Sequence, residues 1–445
     1  MSKSKALLLF VLIGIQLSAV AQSDPSIFNL QQAVDYALKN NPTLQNAVID
    51  VEIARKKVKE TTGLGLPQIN ASVDYNGQPL IPTSVVPNFI DPNGPPLEFQ
   101  MGISHSGTAK VTASWLLLDG TYFLGLKAAK EYVEFASRMR ANSETETRVN
   151  VTTAYYMALI ADQTVASIDT NLLSLEKALY DTRALYDNGF VEKIDVSRLE
   201  LQVNNLKIQR QRMNDQRNLA YRILKFQMGM DVNAPITLTD NLPALMGVSG
   251  TQDTTAQVKY GNRSDYQVLA QSQVLNNLNV RRYQMGYLPS LSTFGSHQQN
   301  TFATDGNFSD LGNKFYGGTM WGLTLRVPIF SGFQRQAQVQ QARLETIKTR
   351  NDLKNMERVI DNEVFQARNN YITTIQTVEN QLKNYELSKE IQQIAQSKFE
   401  EGLGSSLEVS TANSDLLQAE TNYLSAVYDM LVAELQYKKA LGTLK

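Results

Sequence analysis

The stretch Trp321–Arg335, WGLTLRVPIFSGFQR, decides how this chain is read. Its first half alternates: Trp321, Leu323, Leu325, Val327 and Ile329 fall on one side, Gly322, Thr324 and Arg326 on the other. A period of two predicts a β-strand with one apolar and one polar face. Pro328 and the Ser331-Gly332 pair break that strand, and from Phe333 to Glu401 there is no further Pro or Gly. That run predicts a helix of about seventy residues, roughly 100 Å long at 1.5 Å rise per residue. Thr108–Gly120 is built the same way, with Ala109, Val111, Ala113, Trp115 and Leu117 opposing Thr108, Lys110, Thr112 and Ser114. Such a junction of two-faced strand and long helix occurs twice.

The chain opens with Met1-Ser-Lys-Ser-Lys, an apolar run from Ala6 to Val20 and the triplet Ala19-Val20-Ala21. A basic head, a short apolar core and an Ala-x-Ala site predict an export signal over residues 1–21. The run is too short to span a bilayer comfortably, and Gln16 and Ser18 interrupt it. There is no Cys, so disulfides, thiolate metal sites and thiol nucleophiles are excluded. A net charge of −1 leaves no electrostatic footprint for nucleic acid. No later segment reaches eighteen apolar residues, so an exported chain of this kind enters a membrane only as a barrel.

The sequence repeats itself. Asn41-Pro42-Thr43-Leu44 aligns with Arg263-Ser264-Asp265-Tyr266, and Leu66-Pro67-Gln68-Ile69 with Leu288-Pro289-Ser290-Leu291, both displaced by 222. Asp119-Gly120 aligns with Ser331-Gly332 at 212, and Tyr186–Val196 with Phe399–Val409 at 213. Two halves, 22–240 and 241–445, are therefore expected, each reading helix, strand, loop, strand, long helix, turn, helix. The first half sets a helix over Leu30–Thr62, a strand from Ile69, a Pro/Gly-rich loop over Gln78–Ser104, the strand at Thr108, a helix over Tyr122–Asn188 and another over Lys193–Met228. In the second half the strand loop is expected at Gln299–Lys314. Val409, Ala412, Leu416, Ala419, Tyr423, Ala426, Met430, Ala433, Tyr437 and Ala440 follow a 3-4 spacing, a heptad seam that a neighbouring helix approaches closely at each Ala. Val196, Leu199, Val203, Leu206, Arg210, Met213, Arg217, Ala220 and Leu224 keep the spacing in the first half.

The strands set the class. One chain supplies four, whereas a membrane barrel needs at least about eight, and an open sheet in lipid leaves unsatisfied edges. Either the strands stay out of the membrane or several chains share one barrel. Val111, Trp115, Trp321, Leu323, Leu325 and Val327 are the residues expected to face lipid. Trp115, Trp321, Tyr75, Phe315 and Tyr316 form the kind of aromatic girdle that borders it. The strand beginning at Pro289 has a poorly apolar side, with Leu291, Thr293 and Gly295.

The duplicated plan, the Pro289-Ser290-Leu291 strand start, the Val327–Gly332 strand end, the Leu242-Pro243 pair and two Gly-centred helical turns together resemble the TolC-like outer-membrane efflux protein family over essentially the whole mature chain. The resemblance implies a mainly α protein with a small membrane β-barrel part. Four strands per chain form a shared twelve-stranded trimeric barrel in the outer membrane, continuous with a long α-helical coiled-coil tunnel in the periplasm. It implies a homotrimeric exit duct for an efflux or type I secretion system, serving an inner-membrane pump through a periplasmic adaptor (membrane fusion) protein. The competing class is a periplasmic coiled-coil adaptor or scaffold with its strands in a small soluble domain.

Two sites follow from the resemblance. The turns holding Asp187, Asn188 and Gly189, and Glu401, Gly402, Leu403, Gly404 and Ser405, are the tips that meet the adaptor. Gly189 and Gly402 also read as helix C-caps and Ser405–Glu408 as a capping box. Glu408 matches an acidic gate position, so three copies ring the axis with carboxylates; Thr411 stands where a second acidic ring is expected. Chemistry of other kinds finds no foothold. His105 and His297, each near a strand end, lack ligand-spaced partners, so no metal site is predicted. No nucleophile–His pair or phosphate-cradling Gly loop occurs, and neither a catalytic centre nor a cofactor is expected.

Overall fold

The computed structural model describes residues 26–91, 93–100, 102–242, 245–246, 256–303 and 308–444; the expected leader, 1–21, lies outside them. In chain order the elements are β1 Ser26–Phe28, α1 Leu30–Asn40, α2 Pro42–Gly63, β2 Gln68–Gly77, β3 Thr83–Val86, β4 Leu97–Gln100, β5 His105–Leu118, α3 Gly120–Asp187 and α4 Lys193–Met228. Then follow β6 Ile236–Leu238, α5 Ser264–Met285, β7 Ser290–Ala303, β8 Phe315–Arg326, α6 Gln334–Glu400 and α7 Ser406–Leu441. They form two compact units. One takes in the chain up to Asn46, Ser143–Arg263 and Val359 onward; the other is Ala47–Asn142 with Ser264–Arg358. Each unit draws on both expected halves.

The helical unit is held by a core in which Tyr155, Tyr371 and Tyr437 are completely buried with Leu224, Met228 and Leu431. Every position of the heptad seam on α7 is at least half-buried, as large–small alternation requires. A small parallel pair closes one side: β1 lies on β6, Ser26 opposite Ile236. The Asp240 carboxylate then accepts from the Leu30 backbone N at 2.7 Å and from the Tyr155 hydroxyl at 2.9 Å. Together they pin the start of α1 to α3.

Four ion pairs step down the α3–α4 hairpin, seven residues apart on α3: Asp162 with Arg217 at 3.9 Å, Asp169 with Arg210, Glu176 with Lys207 at 2.8 Å, and Arg183 with Glu200 at 3.6 Å. All are well exposed, so each contributes less than about 1 kcal/mol. The buried Leu199, Val203 and Leu206 beside them carry the packing.

The second unit carries a four-stranded antiparallel sheet in the order β2-β5-β7-β8. Directly paired residues share a face, and Ile69↔Ala113↔Gly295↔Trp321 and Ala71↔Val111↔His297↔Thr319 fix the register. Val111, Trp115, Trp321, Leu323 and Leu325 therefore lie on one face, with Ile69, Val73 and Tyr75. The other face bears Lys110, Asn70, Asp74, Gln298 and Arg326. The apolar face is bare: Val73 is 82% and Trp321 79% exposed. The Trp115 indole Nε1 donates to the Gly65 carbonyl at 2.8 Å, tying the sheet to the end of α2.

Several expectations need correction. The helix expected over Leu30–Thr62 is two helices, because Pro42 lacks an N–H and starts a new one. Asn41 turns the corner, accepting from the N of Thr43 at 2.9 Å and donating to the Gln227 carbonyl at 2.8 Å. Gln78–Ser104 is not simply a loop but holds the β3–β4 ribbon. β7 continues past Gln299 to Ala303, so His297 stands mid-strand rather than near its end. There it shares hydrogen bonds with Thr319 at 2.8 Å and Gln299 at 3.2 Å. β8 begins at Phe315 and ends at Arg326, so Val327 lies beyond the strand, next to Pro328, which has no N–H to continue the ladder.

Candidate gate and docking tips

The two turns end matching hairpins: α3 and α6 are 68 and 67 residues long, α4 and α7 36 each. Each long helix is stopped by a glycine in the left-handed region, Gly189 at φ 78° and Gly402 at φ 75°, where a Cβ is penalised. Beyond them the chain folds back onto the last turn. The N of Phe190 donates to the Leu185 carbonyl at 2.9 Å, and those of Leu403 and Gly404 to the Lys398 carbonyl at 2.8 and 2.9 Å. Gly404 sits so close that a Cβ would meet the Phe399 N at 3.0 Å. This geometry leaves one large apolar side chain standing out from each turn, Phe190 at 77% and Leu403 at 78% exposure. Asp187, Asn188, Glu401 and Ser405 surround them and are exposed.

Ser405 caps α7, its hydroxyl accepting from the Glu408 N at 3.2 Å. In the first turn Glu192 takes that place, and the Asp195 carboxylate accepts from the Glu192 N at 3.3 Å. Asp195 also accepts from the hydroxyl of Ser406, which is 2% exposed. One turn on, the Gln202 amide donates to the Ser410 carbonyl at 2.8 Å and the Ser414 hydroxyl at 2.9 Å. Asn171 reaches the Asn413 carbonyl at 3.3 Å. The start of α7 is thus stitched to α3 and α4 by polar contacts. Nothing in the spacing of Ser406, Gln202 or Asn171 marks them out, because each pairs with a residue more than two hundred positions away.

Glu408 and Thr411 are exposed and line one groove of about 460 Å³ between α6 and α7. Ile391, Ile394, Ala395 and Lys398 form its α6 side; Leu407, Ala412 and Asp415 complete the α7 side. Asp415, seven residues from Glu408, stands on the same stripe two turns along. The sequence reading missed it by looking only three residues ahead. Among the described residues no cluster of three acidic or His side chains has metal-holding geometry.

The outer membrane efflux protein family model matches residues 33–230 and 259–443. The chain belongs to that family. Outer membrane protein TolC of Vibrio cholerae is 22% identical over 418 residues, covering 94% of this chain and 91% of the relative. Outer membrane protein TolC of Escherichia coli K12 is 22% identical over 453 residues, covering 98% and 86%. The fold matches the Campylobacter jejuni CmeC outer membrane channel at TM-score 0.72 and 17% identity, covering 93% and 85%. It matches the open state of the Neisseria gonorrhoeae MtrE outer membrane channel at 0.69 and 19%, covering 94% and 91%. This outer-membrane efflux protein is a duct through the outer membrane that extends into the periplasm. The scaffold reading is not favoured.

Proposed function

We propose that three copies of this efflux protein close their sheets into one twelve-stranded barrel. The duct is then the exit of a tripartite efflux or type I secretion system, fed by an inner-membrane pump through a periplasmic adaptor. One observation carries the reading: the four-stranded sheet has a bare apolar face and two open edges, β2 and β8. Unpaired edges are not tolerated in hydrocarbon. Because the number of strands per chain is even and every neighbour is antiparallel, β2 of one copy meets β8 of the next antiparallel too, and the ring closes without a fault. The halves 22–240 and 241–445 are structural repeats in this reading, which the equal helix lengths support.

The tips meet the adaptor, with Phe190 and Leu403 as the apolar anchors inside the polar rim of Asp187, Asn188, Glu401 and Ser405. The groove face of α7 lines the narrow end of the tunnel, where Glu408 forms one carboxylate ring and Asp415 a second; Thr411 between them is neutral. Like charges gathered on an axis repel and retain cations. Native mass measurement in detergent tests the assembly: a heat-sensitive trimer is expected, and a monomer with intact helices overturns it.

A further inference from the structure

The β3–β4 ribbon is unaccounted for by a barrel and a tunnel. β2 leaves α2 at Gln68 and β5 enters α3 after Leu118, so the far ends of the strands, Gly77 and His105, point away from the helices. Beyond them the Gln78 N still donates to the Ser104 carbonyl at 2.8 Å, and the pairing resumes at Thr83↔Gln100, slipped by one residue, and runs to Val86↔Leu97. The ribbon thus prolongs β2 and β5 beyond the ends opposite those where α2 and α3 join the sheet. Its tip is a built turn. The Asn88 side chain accepts from the N of Ile90 at 3.0 Å and of Asp91 at 2.8 Å and donates to the Pro95 carbonyl at 3.2 Å. That turn holds Phe89 and Ile90 outward, each 79% exposed, with Leu80 at 82% and Val85 at 59% along the stem. A lone two-stranded ribbon with a greasy tip is marginal in water.

We infer that the three ribbon tips of the assembled duct meet one another over its outer mouth and form a second closure, remote from the periplasmic gate. This rests on the trimeric barrel proposed above. Charge selects the occupant: residues 78–104 hold Asp91 and Glu98 and no Lys, Arg or His, so a phosphate-bearing lipid surface repels the ribbon. Reach allows it. Twelve tilted strands about 4.8 Å apart give a radius of roughly 12 Å, whereas the eleven residues from Gln78 to Asn88 span up to about 36 Å when extended. Placing three tips at the axis buries Phe89 and Ile90 against their own copies.

The absence of Cys makes the test clean. Full-length Ile90→Cys, assembled and oxidised, is expected to give a disulfide-linked dimer within the trimer and several-fold lower single-channel conductance, restored by a reductant. Phe89→Ser with Ile90→Ser is expected to raise conductance or open time several-fold with Glu408 intact. A native trimer that conducts, in which Ile90→Cys stays unlinked and the serine variant matches the parent, overturns the closure and leaves the barrel standing. A protein that is not trimeric overturns both.

Discussion

At the scale of single residues, Glu408 is exposed in an apolar groove with Asp415 two turns away. Glu408→Ala is expected to raise single-channel conductance and weaken divalent-cation block several-fold, and Asp415→Asn to add to it; unchanged block in both removes the carboxylate rings. A second prediction concerns the tyrosines around Asp240. Burial first, then the Glu434 and Asp240 carboxylates, push Tyr156 up to about 12. Burial and the hydrogen bond to Asp240 drive Tyr155 higher still, and burial with Asp162 does the same to Tyr221. A pKa raised in the folded state means stability is full below the unfolded value near 10 and falls as pH climbs above it. Denaturant midpoints should be flat from pH 7 to 9.5 and drop beyond, and the drop should be smaller in Tyr155→Phe. The place of Glu408 in the first turn of α7 was legible because it precedes a recognisable seam residue, Val409. Asp240 was not, since its partners Leu30 and Tyr155 are 210 and 85 residues away.

At the scale of elements, the α3–α4 hairpin lets packing be weighed against charge. Arg210→Ala removes an exposed ion pair and should cost less than about 1 kcal/mol. Leu199→Ala, at a fully buried position, should cost about 2–5 kcal/mol. Equal losses in thermal or denaturant unfolding would contradict the assignment of the core. Gly402→Ala should cost about 1–2 kcal/mol through its positive φ alone, seen as fraying of the second tip by hydrogen exchange. Helices were easy to read because long runs free of Pro and Gly and a heptad seam state both length and face. Lys193–Met228 was legible to the residue. Strand ends were harder: beyond Gln299 the polar residues Asn300 and Thr301 look like loop, yet tertiary pairing with β5 and β8 keeps them in the sheet. The β1–β6 pair escaped notice because three residues carry no periodicity.

At the scale of the whole molecule, the sheet is half an argument until copies complete it. Val111, Trp115, Trp321, Leu323 and Leu325, the residues expected to face lipid, share one face by register, while the polar row of β7, Thr293 to Gln299, interrupts it and satisfies itself through His297 and Thr319. The two-faced strands were visible in the sequence, but the strands alone left open whether several chains share one barrel, because that depends on edges that only a neighbour fills. The most direct test of the duct is planar-bilayer recording with the purified, detergent-extracted trimer. Discrete conductance steps with cation preference, enlarged by Glu408→Ala, are predicted. A folded trimer that inserts and never conducts would contradict the account.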